Sequence, residues 1–139
     1  MQAFYANHPG ATLGFLLSTE DRRIAYVPDS EIYGEAGTAL QDYDEKLGNI
    51  VAGVDLLIHD GRYNEADYKT NRNSGHSSFL AAVDLAGRFK VKQLILVHHD
   101  DRYADDVLEK IARAAEARVA EKGFALKVSL AREGLRLTL

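Results

Sequence analysis

The sequence predicts an α/β fold built on one mixed sheet, and three observations carry that prediction. Leu94–Val97 is an unbroken apolar run and Val54–Ile58 is nearly so. Short runs of this kind mark strands buried on both faces. After residue 38 such strands alternate with segments whose apolar residues recur at helical spacing, which implies parallel βαβ units. Before residue 38 three apolar stretches follow one another with no helical segment between them, as in a hairpin.

In order, residues 2–8 read as a strand that stops at His8-Pro9-Gly10, because proline has no N–H to donate to a ladder. Thr12–Ser18 is a second strand, Glu20-Asp21-Arg22 a polar turn and Arg23–Val27 a third strand. Asp29–Gly37 is a loop. Thr38–Ala52 is a helix with Thr38 as its N-cap and a weak stripe of Leu40, Leu47, Ile50 and Val51. Gly53 stops it, and Val54–Ile58 is the next strand. Gly61–Gly75 is a long polar loop with a short helix at Glu65–Lys69. Ser77–Lys90 is a helix with Ser77 and Ser78 as candidate caps. Its apolar face carries Phe79, Val83, Ala86 and Phe89. Gln93–Val97 is a strand. Ala104–Lys122 is the longest helix, with Asp105 and Asp106 at the positive end of its dipole and Gly123 as its stop. Ala125–Ala131 and Leu135–Leu139 close the chain as strands.

The 139 residues fit one domain. Apolar content of 46% and charged content of 27% are those of an ordinary globular protein able to bury a core. Absence of cysteine excludes disulfides and thiolate metal sites, so any transition metal must use imidazole and carboxylate. A net charge of −4 gives no general attraction to nucleic acid. No apolar run approaches the ~18–20 residues of a membrane helix, and the first residues lack a signal-peptide pattern. The expectation is a cytoplasmic chain without a membrane partner. Neither G-x-S-x-G nor a glycine-rich phosphate loop is present, which removes serine hydrolases with a nucleophile elbow.

Chemistry gathers at strand ends. Ile24–Val27 runs through Pro28 into Asp29, Val54–Ile58 into His59-Asp60, and Leu94–Val97 into His98-His99-Asp100-Asp101. Open α/β sheets place their sites at the carboxyl ends of strands, so parallel neighbours would bring these groups to one edge. Asp29 reads either as a loop acid capping nearby backbone or as a carboxylate ligand. His76, in Gly75-His76-Ser77-Ser78, reads either as a helix-entry residue or as a mobile acid at the site edge. Asp60 is suited to orienting an imidazole. His99 is assigned to structure, since neighbours along a strand point opposite ways. Tyr5, Tyr26, Tyr63, Tyr68 and Tyr103 are read as core or rim.

Five stretches together resemble something specific: His8-Pro9-Gly10-Ala11-Thr12-Leu13-Gly14-Phe15, Ala25-Tyr26-Val27-Pro28-Asp29-Ser30-Glu31, Asp55-Leu56-Leu57-Ile58-His59-Asp60, Gly75-His76-Ser77-Ser78, and His98-His99-Asp100-Asp101-Arg102-Tyr103. They are similar, in order, to the later motifs of the metallo-β-lactamase superfamily, with its ribonuclease Z and phosphodiesterase-like hydrolases the nearest branch. The resemblance implies half of an αββα sandwich, one mixed sheet with helices packed on one face. It implies His8, Asp29 and His98 as metal ligands, with Asp29 bridging two metals. His76 is implied beside the scissile phosphate, with Asp60 supporting it. Zinc is the implied metal, with manganese or iron as alternatives.

The superfamily's His-x-His-x-Asp-His signature is absent from this sequence, so the two-metal centre of the intact fold is incomplete here. The chain resembles the carboxy-terminal half alone, inactive or weakly active by itself. A lone half would leave one sheet face bare, and an apolar patch of that size marks an interface. Two readings follow. One is an enzyme part that hydrolyses a phosphodiester once joined to a polypeptide supplying the amino-terminal half. The other is a non-catalytic remnant that acts through binding and self-association.

Overall fold

The computed structural model describes residues 1–35 and 37–139. Ala36, inside the loop expected over 29–37, lies outside them. Six strands form one sheet in sequential order: β1 (Gln2–Tyr5), β2 (Leu13–Ser18), β3 (Arg23–Val27), β4 (Leu56–Asp60), β5 (Gln93–Val97) and β6 (Lys127–Leu130). The first three pair antiparallel and the last four run parallel. This is the mixed sheet the sequence predicts, a hairpin region followed by βαβ units.

Between the strands lie α1 (Gln41–Val51), α2 (Glu65–Thr70), α3 (Phe79–Arg88) and α4 (Asp105–Lys122). Parallel crossovers that always step to the next strand in a right-handed sense put their helices on one face. Leu47 and Val51 of α1, Val83 and Ala86 of α3, and Ile111 and Ala115 of α4 share one core with Leu16, Ala25, Leu57, Leu94 and Val128 of the sheet. The other face carries Leu13, Phe15, Leu17, Ile24, Tyr26 and Ile58, because residues paired across strands point the same way. Leu17 and Tyr26 are 41% and 42% exposed there. Among the described residues no helix is long and apolar enough to cross a membrane.

Close packing leaves a testable mark at Gly48 of α1. A Cβ there would meet the Phe89 ring at 2.1 Å. Alanine normally gains up to ~1 kcal/mol over glycine in a helix, but overpacking costs about 1–3 kcal/mol. Gly48→Ala is expected to lower stability by about 1 kcal/mol net in urea denaturation, opposite in sign to propensity alone.

Several boundaries differ from expectation. β1 stops at Tyr5, three residues early, since Asn7 turns to the 30–31 segment. α1 begins at Gln41 with Leu40 as a cap that makes no side-chain bond, while the Thr38 hydroxyl donates to the Glu35 carbonyl. β4 is shifted by two residues because Val54 and Asp55 are used in anchoring. The Val54 N–H donates to Val51, and the Asp55 carboxylate accepts from the Arg23 N–H and from Lys92. The shift draws His59 and Asp60 into the strand itself. Of the two candidate serines, Ser78 is the cap of α3, accepting from the Ala81 N–H at 3.1 Å. Residues 135–139 form no strand. Thr138 and Leu139 instead line a shallow cleft with Asp55 and Lys92, at the end of the sheet away from the histidines.

Candidate metal centre

The carboxyl ends of β3, β4 and β5 deliver three of the predicted groups to one place. Asp29 follows β3 after Pro28, Asp60 closes β4, and His98 follows β5 directly. His98 takes a left-handed φ of 62°, which turns the chain sharply as it leaves the strand. His76 comes from the β4–α3 connection, two residues before the Ser78 cap. Ligand atoms of Asp29, Asp60, His76 and His98 all lie within 4.8 Å of one another. His8 stands beside this group: its ring centroid is 5.4 Å from that of His76, and its Nδ1 accepts from the Gly10 N–H at 3.0 Å.

Asp60 is fully buried. It accepts from His76 Nδ1 at 2.6 Å, from the Arg62 N–H at 3.0 Å, and from the Ser30 and Ser77 N–H groups at 3.4 Å. Burial acts to raise its pKa, but the hydrogen bond from His76 and the close approach of His98 prevail and hold it below the usual carboxylate value. The Asp60 carboxylate, 3.7 Å from His98 Nδ1, and the Asp29 charge at 2.8 Å raise the pKa of His98.

Arg62 is a group that sequence reasoning missed. Its Nη1 lies 2.9 Å from His98 Nε2. A guanidinium only donates, so Nε2 accepts and Nδ1 carries the proton directed at Asp29. Arg62 stands two residues past Asp60, and the strand-end rule that picked out Asp60 extends to it. Asp100 lies outside the group of four and stands 3.6 Å from Arg62 Nε. Arg102 pairs with both its oxygens and holds its pKa at about 2. His59 is fully buried on the helix-facing side of β4, its Nδ1–H on the Asp60 carbonyl at 2.7 Å, and burial lowers its pKa. His99 is half-buried, and burial lowers its pKa too.

Two carboxylates and two imidazoles at this spacing fit a borderline divalent cation such as zinc, manganese or iron. The same groups also contain a ready acid–base pair, His76 on Asp60.

Comparison with known proteins gives a consistent picture. The beta-lactamase superfamily domain matches residues 2–99. Ribonuclease Z of Sulfurisphaera tokodaii is 36% identical over 110 residues, which are 79% of this chain and 32% of that protein. Ribonuclease Z of Kineococcus radiotolerans is 30% identical over 125 residues, 90% of this chain and 32% of that protein. The chain thus spans about a third of the length of these relatives. Among solved structures, the metallo-beta-lactamase fold protein YhfI from Bacillus subtilis superposes with a TM-score of 0.69 at 19% identity, over 96% of this chain and 46% of that one. Human tRNase Z, short form, gives 0.64 at 22% identity, over 96% of this chain and 40% of that one. At such identities the structural likeness speaks to the fold.

Proposed function

The chain belongs to the beta-lactamase superfamily, and from that premise we propose that it is the site-bearing part of a metal-dependent phosphodiesterase. Asp29 and His98 would hold the metal, His98 through Nδ1 after giving up the proton it directs at Asp29. His8 would join them through Nε2, since its Nδ1 is taken by Gly10. A bound zinc, or manganese or iron, supplies Lewis acidity and activates water near neutral pH. Asp60 fixes the His76 ring by accepting its Nδ1–H. That leaves Nε2 to hold and release a proton at the leaving oxygen of a phosphodiester. RNA is the substrate class suggested by the ribonuclease Z relatives.

The observation that carries this reading is the convergence of Asp29, Asp60, His76 and His98 within 4.8 Å from four separate chain segments. The remaining ligands are to come from a polypeptide that supplies the amino-terminal half, docked on the apolar sheet face. The alternative, a binding module that has lost its chemistry, is favoured by His8 standing outside the group of four.

Elemental analysis after metal loading and gel filtration separates the two. About one zinc or manganese per chain, lost in His98→Ala, is expected if this part of the site binds on its own. A wild-type chain that takes up no more metal than the variant overturns metal binding by this part alone and moves the test to the complex with the amino-terminal half, where failure of metal uptake leaves the binding module.

A further inference from the structure

Glu31 is a carboxylate with 2% exposure and, among the described residues, no cation in hydrogen-bonding contact. Its side chain crosses to the loop that carries His76. Oε1 accepts from the Asn73 N–H at 2.8 Å and from the Tyr68 hydroxyl at 2.9 Å, and Oε2 accepts from the Gly75 N–H at 2.9 Å. Asn73 and Gly75 both have positive φ, 63° and 91°. Backbone bent in this way turns nearby N–H groups toward a common point and makes a concave anion site. Here the anion is Glu31. Asparagine enters this left-handed conformation more readily than other residues with a side chain, and the charge-assisted hydrogen bonds to Glu31 hold the loop in it.

The main chain of the same residue holds a second loop. The Glu31 N–H donates to the Asn7 carbonyl and the Glu31 carbonyl accepts from the Asn7 amide, both at 2.8 Å. Asn7 precedes His8, and Asp29 lies two residues before Glu31. The two loops also touch directly, for a Cβ on Gly75 would fall 2.3 Å from the His8 ring. One residue therefore links the segments bearing His8, Asp29 and His76.

We propose that Glu31 is the positioning residue of the His76 loop, setting the imidazole against Asp60 through the Asn73 and Gly75 amides. Its bearing on catalysis rests on the reading of His76 and Asp60 given above; its effect on the loop does not.

The test is NMR on the metal-free chain, with amide exchange along residues 71–78 and the His76 Nδ1 proton as readouts. Glu31→Gln keeps the shape but must turn an NH2 toward one of two N–H donors. Glu31→Asp keeps the charge but draws it back from both. Each is expected to speed exchange at Asn73 and Gly75 by about tenfold or more and to broaden or shift the His76 Nδ1 signal. The Leu57 and Leu94 amides of the core should keep wild-type exchange. Tyr68→Phe leaves both amide contacts in place and should leave the His76 signal where it is. Wild-type exchange and an unmoved His76 signal in either folded Glu31 variant overturn the proposal. If Glu31→Gln does not fold, Glu31→Asp carries the test. Because the test uses the metal-free chain, failure of the functional reading leaves this result intact.

Discussion

Asp60→Ala will destabilise the chain by about 3–5 kcal/mol, the cost of breaking a buried charged network from one side. Arg62, Ser30 and Ser77 each direct an N–H at this carboxylate, and His76 directs its Nδ1–H. Alanine leaves them facing a void at a fully buried position, and each stranded donor costs about 1–3 kcal/mol. His76→Ala removes one of the four partners and should cost far less in urea denaturation at neutral pH. The pH dependence separates Asp60 from its neighbours. Its folded pKa lies below the unfolded value of 3.8, so its contribution is present above that pH and is lost as the pH falls through the folded pKa. His59 and His99 have folded pKa values below 6.5. The unfolded chain takes up those protons first, and stability falls as the pH drops below 6.5. His98, with its pKa raised, gives stability that is full below 6.5 and fades as the pH rises through its folded value. Asp60→Asn should therefore flatten the decline below pH 3.8 while keeping the decline that starts at 6.5. An unchanged acid limb would show that Asp60 is not the group responsible.

That Asp60 could be picked out beforehand reflects where information lies in such a chain. Apolar runs announce buried strands, and the polar residue that ends each run announces the sheet edge. Asp29, Asp60 and His98 were legible for that reason, and His76 through its place before a capped helix. Glu31 was not. Its side-chain partners are 37 to 44 residues away in sequence, and no periodicity marks a residue whose purpose is to satisfy a distant loop. Asp44 is a similar case, a buried carboxylate inside α1 that accepts from the Tyr33 and Gly34 N–H groups. The sequence also misleads at Leu135–Leu139. Alternating leucines have the period of a half-buried strand, yet β6 ends at Leu130 and the segment finds no ladder.

The face opposite the helices sets the second large effect. Leu13, Phe15 and Leu17 alternate along β2, Tyr26 and Ile24 of β3 pair with Phe15 and Leu17, and Ile58 of β4 pairs with Tyr26. Such contiguous apolar surface marks an interaction site when it stays in water. In the intact αββα sandwich that the family resemblance implies, a second sheet covers this side. The wild-type chain is expected to self-associate through it in sedimentation velocity at rising concentration. Burying a side chain of this size contributes about 1.5–3 kcal/mol, and about 1.4 kcal/mol is tenfold in affinity. The double variant Leu17→Lys with Tyr26→Lys should thus weaken association at least a hundredfold, roughly 3 kcal/mol. Its fold should survive, since both positions are about 40% exposed and lysine keeps its stem on apolar surface while its charge reaches water. A wild-type chain that stays a single monomeric species at high concentration sinks self-association. The face is then left to a polypeptide carrying the other half, and the same two lysines become the test of that complex.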